Sequence, residues 1–326
     1  MGQSLPIISI ESFATRAPGS VEYNNDASAL YEALSEIGFA IIVGHGVADE
    51  IISNMRNAVK AVFDTPREIL MQDMVVKGNY RGFVPLGYFT PNSGKGTADQ
   101  YEAWKLHNET DPSNPVIADC SLYGQNKWPN IPTDVRTPIM AYWNALTEVS
   151  ERLIIALCNQ MGVDQNLLLS YMSDPLTNMT LLNYPPMPPQ SDSWGIHPHK
   201  DFNLLTLLAH DPIGGLEVRN RNDVWLSADC PPDGMVLNVG DMLELWSGGR
   251  LLSTPHRVFN RSGKPRQSFP YFSKPRWDVT VKPLLEPIAG FDRPPLHVGT
   301  SAADIWYSNW PDTASSDPAQ VLGHYK

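Results

Sequence analysis

The sequence predicts an α+β protein: a double-sheet jelly roll (double-stranded β-helix) core braced by helices from the N-terminal half. Two observations predict it. Up to about residue 175, apolar residues recur mainly at helical spacing; from Thr180 they fall into short runs separated by Gly, Pro, Asn and Asp. Seven such runs in roughly a hundred residues suit two facing sheets better than an alternating βαβ sheet. No repeat of 20–50 residues is visible.

The elements follow in order. Residues 5–10 alternate as a short strand. Residues 26–37 carry Leu30, Leu34 and Ile37 at helical spacing, and 41–43 form an apolar strand before the turn Gly44-His45-Gly46. Residues 49–63 are helical, with Ile52, Met55, Val59 and Val62 on one stripe. Thr65 as cap and Pro66 at the first position start a further helix. From Gly78 to Asn108 the pattern loosens into Gly, Pro, Tyr and Asn, as in a long functional loop. Residues 133–161 are the longest helical pattern, striped by Ile139, Trp143, Leu146, Val149, Leu153 and Leu157, and are expected to brace the sheet from outside. Strands are expected at 181–184, 204–209, 216–219, 235–239, 242–246, 256–260 and 268–273, then 279–284. Gly214-Gly215 reads as a hairpin turn. The division expected is one catalytic domain over 1–326. Residues 1–175 are its helical region, 176–285 the jelly roll with the metal site, and 286–326 a Pro-rich tail that either folds over the site or frays.

Composition narrows the function. The 326 residues are 42% hydrophobic, ample for a large core, and carry 35 acidic against 24 basic side chains, a formal charge of −11. Such a surface repels phosphate backbones, so no nucleic-acid partner is expected. No Lys/Arg-rich block, membrane-length apolar run or secretory signal appears, so no membrane partner is expected. Three cysteines without a Cys-x-x-Cys pair point to reduced thiols and a cytoplasmic protein.

The chemistry concentrates in Gly195–Phe272. His199 and Asp201 stand two residues apart beside a β-rich run, and residues i and i+2 of a strand face the same way. His256 arrives from a later β-like segment. Two imidazoles and one carboxylate on one side of a metal form the facial set suited to non-haem Fe(II) and O₂.

Three motifs then read together: His199-Lys200-Asp201, His256-Arg257-Val258 and Arg266-Gln267-Ser268. With the segment from Gly240 to Arg250, Leu5-Pro6-Ile7-Ile8-Ser9-Ile10 and the stretch from Ile37 to Val47, the chain resembles Fe(II)/2-oxoglutarate-dependent oxygenases of the isopenicillin N synthase-like family over most of its length. It departs from that family at Lys200, commonly Thr, and at Gly44, often Asn; neither is a ligand position.

The resemblance implies Fe(II) held by His199, Asp201 and His256, with 2-oxoglutarate as co-substrate and O₂ as oxidant. Arg266 would anchor the distal carboxylate of 2-oxoglutarate, because a guanidinium fork pairs with a carboxylate through two hydrogen bonds, and Ser268 and Tyr184 would donate to the same group. Asn183 either touches the co-substrate or faces the opposite side. Tyr80, Phe83, Tyr101 and Trp104 either wall a substrate pocket or pack in the core. His197 alternates onto the face of His199, where it either lines the mouth or is a polar strand-end residue. A small-molecule substrate, by family habit a specialised metabolite, would be hydroxylated, desaturated or ring-closed, with release of succinate and CO₂. A monomer or weak homodimer is expected. Two other functions stay in view: an iron oxidase of the isopenicillin N synthase type that dispenses with 2-oxoglutarate, and a silent jelly-roll binding protein, whose usual mark would be a lost ligand.

Overall fold

The computed structural model describes residues 4–76, 79–89 and 98–308. The N-terminal part supplies β1 (Ile7–Ser9), α1 (Ser12–Thr15), α2 (Val21–Glu36), β2 (Phe39–Val43), α3 (Asp49–Phe63), α4 (Arg67–Leu70), β3 (Gly82–Val84), β4 (Glu102–His107), α5 (Val116–Asp119), α6 (Arg136–Met161) and α7 (Gln165–Ser170). Then come β5 (Asn178–Tyr184), β6 (Ile196–His199), β7 (Leu205–Ala209), β8 (Leu216–Arg219), β9 (Trp225–Ser227) and β10 (Met235–Val239). Helix α8 (Asp241–Trp246) leads to β11 (His256–Val258), β12 (Arg266–Ser268) and β13 (Tyr271–Ser273). The described chain closes with β14 (Thr280–Val281), β15 (Leu296–His297) and α9 (Val298–Ser308). No helix among the described residues is long and apolar enough to cross a membrane, and the three cysteines are free.

The larger sheet runs β1-β2-β10-β7-β13-β5-β4-β3, with β12 also paired to β5; the smaller runs β6-β11-β8-β9. Alternation divides the larger sheet cleanly. Ala40, Ile42, Trp104, Leu106, Met179, Leu181, Leu205, Leu207, Met235 and Leu237 face the helices and join the main apolar core. Phe39, Ile41, Ala103, Leu182, Tyr184 and Val236 face the smaller sheet and form a second cluster with Leu216, Val218 and Val258. This second face is the interior that holds the site.

Helix α6 lies on the outer layer and buries Ile139, Trp143, Leu146, Val149, Leu153 and Leu157, the stripe read from the sequence. Each such side chain contributes about 1.5–3 kcal/mol of transfer free energy. The helix stops at Gly162, whose φ of +68° suits glycine, while Val163 N–H closes the last turn on Cys158 O at 3.0 Å.

The structure revises several expectations. Residues 78–108 contain β3 and β4, which complete the sheet beside β5. Their period was obscured because the inward positions of β4 include the polar Lys105 and His107. Residues 242–246 form helix α8, not a strand; all six of its residues, Asp241 and Glu244 included, are buried, so no exposed side marked its period. The run 268–273 splits at Pro270, which lacks an N–H, into β12 and β13. Residues 279–284 shorten to β14. Thr65 does not cap α4: its hydroxyl donates to Ala61 O at 2.9 Å, and Pro66 occupies the cap position. The C-terminal helix α9 brings Trp306 into the interior cluster; the tail beyond Ser308 lies outside the described residues.

Candidate metal centre and co-substrate site

Antiparallel pairing of β6 and β11 sets His199 opposite His256, with ring centroids 4.3 Å apart. Asp201 lies two residues beyond the end of β6, so strand alternation does not place it. Backbone bonds do: Asp241 N–H donates to Asp201 O at 2.8 Å, Met242 N–H to Asn203 O at 3.0 Å and Gly240 N–H to Leu204 O at 2.9 Å. Nδ1 of His199 faces His197 O at 2.8 Å and Nδ1 of His256 faces Thr254 O at 3.2 Å, which turns both Nε2 atoms inward. Those atoms stand 3.8 and 3.7 Å from Asp201 Oδ1, and one ligand atom from each residue lies within 4.8 Å of the others. Lys200 points elsewhere, 3.8 Å from Glu244.

The other carboxylate oxygen, Asp201 Oδ2, is occupied. It accepts from Thr206 Oγ1 at 2.6 Å and Asn238 Nδ2 at 2.8 Å, while Thr206 Oγ1 accepts from Asn203 Nδ2 at 2.7 Å. Burial alone would push Asp201 up, but the two imidazoles and these hydrogen bonds outweigh it and hold the carboxyl below its usual range. Burial, then the adjacent His199, push His256 down to about 4. At neutral pH the set is therefore one carboxylate and a neutral His256 imidazole, the protonation that a divalent cation requires.

Gly240 permits this packing. A Cβ there would lie 2.0 Å from Asn203 Oδ1 and 2.4 Å from Asn203 O. Gly240→Ala is expected to displace the 201–203 turn and lower iron affinity about 10–100-fold, the usual effect of disturbing a ligand's support. Iron content after dialysis, beside a thermal melt, checks it.

A second polar constellation sits on β12 and β5. Register places Arg266 opposite Tyr184 and Ser268 opposite Leu182, all on the interior face. Arg266 is 2% exposed; its Nε donates to Gly214 O at 2.7 Å and lies 3.5 Å from Asp211 Oδ2. Its Nη1 is buried with no partner. The guanidinium carbon lies 4.9 Å from the centre of the Tyr184 ring, and burial pushes that phenol well up, so it stays a donor. An orphaned guanidinium N–H in a closed interior fits a carboxylate acceptor.

The remaining candidates divide by face. Tyr80 and Tyr101 pack against the interior cluster, and Tyr101 meets Tyr184 edge-on at 6.3 Å. Phe83 and Trp104 instead belong to the core beneath the helices, where Trp104 Nε1 donates to Lys127 O at 3.1 Å. Asn183 turns to that outer side as well and donates to Glu102 Oε1 at 2.8 Å. His197 is tied through Nδ1 to Asp99, so it fastens the 98–101 segment to β6. Sequence reasoning missed Thr206, Asn238, Lys105, His107, Lys274 and Trp306. Alternation counted from Tyr101 would have put Lys105 inside and Trp104 outside.

A jelly roll that presents two imidazoles and a carboxylate, with a buried arginine whose Nη1 is left without a partner, belongs to the class of mononuclear non-haem metal oxygenases. Comparison with known proteins gives the family. The 2OG-Fe(II) oxygenase superfamily model matches residues 164–275, and the N-terminal model of the non-haem dioxygenase in morphine synthesis matches residues 5–131. A 1-aminocyclopropane-1-carboxylate oxidase of Dictyostelium discoideum is 31% identical over 309 residues, covering 84% of this chain and 82% of the relative. A homoarginine-6-hydroxylase of Oryza sativa subsp. japonica is 29% identical over 295 residues, covering 86% and 89%. A crystal structure of a 2OG-Fe(II) oxygenase family protein from Caulobacter crescentus superposes with a TM-score of 0.79 at 27% identity, covering 92% of this chain and 97% of that one. The chain belongs to the 2OG-Fe(II) oxygenase superfamily and is an oxidoreductase that uses Fe(II), 2-oxoglutarate and O₂.

Proposed function

We propose that His199, Asp201 and His256 hold Fe(II), and that Arg266, Ser268 and Tyr184 receive the distal carboxylate of 2-oxoglutarate, for the oxidation of a small specialised metabolite. Hydroxylation is the default outcome; desaturation or ring formation draws on the same chemistry. Bound metal and co-substrate would supply oxidative decarboxylation, in which one oxygen atom of O₂ goes into succinate as CO₂ leaves and the other is available to oxidise an unactivated carbon of the substrate. The protein's own part is positional. His197 O and Thr254 O orient the two imidazoles, Thr206 and Asn238 clamp the carboxylate, and the interior apolar cluster keeps water away.

The observation that carries this assignment is the buried Arg266 Nη1, which lacks any partner although its Nε is satisfied. A donor left unmade in an interior costs about 1–3 kcal/mol unless a ligand takes it up. Anaerobic titration of the Fe(II) protein with 2-oxoglutarate tests it. A weak visible band should grow to saturation, and succinate should form once O₂ is admitted. Iron binding without a band would favour an oxidase that dispenses with the co-substrate; no iron binding would sink the ligand assignment.

A further inference from the structure

The interior holds two amines that neither the metal nor the co-substrate site uses. Register sets Lys105 opposite Thr180 and His107 opposite Asn178, all on the inward face of β4 and β5. Lys274 follows directly after β13. Lys105 Nζ donates to Thr180 Oγ1 at 3.2 Å, and Lys274 Nζ donates to Asn178 Oδ1 at 2.6 Å. Among the described residues neither amine has a carboxylate at ion-pair distance. An ammonium withdrawn from water without a counter-charge is costly to the fold. Burial, then Lys274, push Lys105 down to about 7; burial pushes Lys274 down to about 8 against the opposing pull of the Asp201 carboxylate. Both side chains remain partly accessible.

Their place in the sheet ties them to the metal ligands. Phe272 is registered opposite Asn178 on one side and Thr206 on the other, and Thr206 donates to Asp201. Arg266 stands at the other end of β5, opposite Tyr184, four residues or roughly 13 Å from Thr180. The interior therefore has two cationic ends. Beside the lysine end, Lys105 Nζ lies 5.4 Å from the centre of the Tyr80 ring, which packs 4.2 Å from Trp306. His107 Nε2 and Trp306 Nε1 are buried there without partners.

We propose that Lys105 and Lys274 form the recognition site for an anionic group of the substrate, a small organic acid whose carboxylate sits on the two amines and whose body lies against Tyr80 and Trp306. It rests on the assignment of the metal and co-substrate sites above. A carboxylate seated between the two amines favours their protonated forms, and those ammonium groups repel a cationic end, so the site selects acids over basic amino-acid side chains. The two unpaired ring nitrogens add directional contacts to polar groups along the acid.

Anaerobic calorimetry on the full-length protein loaded with Fe(II) and 2-oxoglutarate tests this, with acetate, butyrate and phenylacetate each paired against its neutral amide. At least one acid should bind about tenfold or more tightly than its amide. Lys105→Met and Lys274→Met should each remove most of that preference, Lys105→Arg should keep it, and all three should leave the 2-oxoglutarate band unchanged. Equal affinity for acid and amide across the series overturns the proposal, as does a preference that survives in both methionine variants. An acid that abolishes the band has taken the Arg266 end, which also overturns it. If the parent protein shows no band at all, the co-substrate assignment has failed instead; the acid preference is then read on the protein with Fe(II) alone.

Discussion

Asp201→Asn is expected to lower iron affinity on the order of a thousandfold or more, with turnover falling in step, while the fold survives. The hydrogen bonds around this side chain make that substitution sharper than Ala. Thr206 Oγ1 and Asn238 Nδ2 both require an acceptor where Oδ2 stands. The amide would keep its oxygen there and turn its NH₂ toward the two Nε2 atoms, so the metal loses its only anionic ligand and meets a donor instead. Ala would leave both donors unsatisfied at about 1–3 kcal/mol each, confounding metal loss with unfolding. Iron stoichiometry and a thermal melt separate the two effects. An Asn variant that holds iron as tightly as the parent would remove Asp201 from the ligand set.

Arg266→Leu is expected to weaken 2-oxoglutarate by about 3 kcal/mol, roughly a hundredfold, and to leave iron binding as it was. The guanidinium is almost wholly buried, and its Nη1 has no other acceptor, so the lost interaction is not screened by water. Arg266→Lys should fall between parent and Leu, because an ammonium keeps the charge but not the planar fork. Both substitutions disturb Asp211, 3.5 Å from Arg266 Nε, so some stability will go with them. The measurement is the half-saturation point of the visible band, taken beside a melt. Unchanged half-saturation in the Leu variant would move the co-substrate's carboxylate elsewhere.

Much of this site was legible in the chain because the groups that hold a metal or a carboxylate are few and chemically distinctive. His199, Asp201 and His256 needed only residue type and their surrounding motifs, and Arg266 with Ser268 needed only alternation across two residues. Helices α3 and α6 were equally plain, since each shows water one side and the core the other. The strand expected at 242–246 failed because α8 is short and buried all round: even its two carboxylates, Asp241 and Glu244, turn inward to Arg293, so no exposed side set a helical period against the apolar run.

The sequence by itself thus determined the family, the residues of the proposed metal triad and the outer helices, all of which depend on residue identity and local periodicity. Only the tertiary structure decided which face of β4 points inward. That placed Phe83 and Trp104 in the core beneath the helices, turned Asn183 to the same outer face beside Glu102, and brought Lys105, His107 and Lys274 inside. It also placed Asp201 through backbone bonds from Asp241 and side-chain bonds from Thr206 and Asn238, contacts no local pattern encodes. The physical reason is the same in each case. Alternation states that neighbours face opposite ways, but pairing with distant strands and the burial of whole layers choose which way is in.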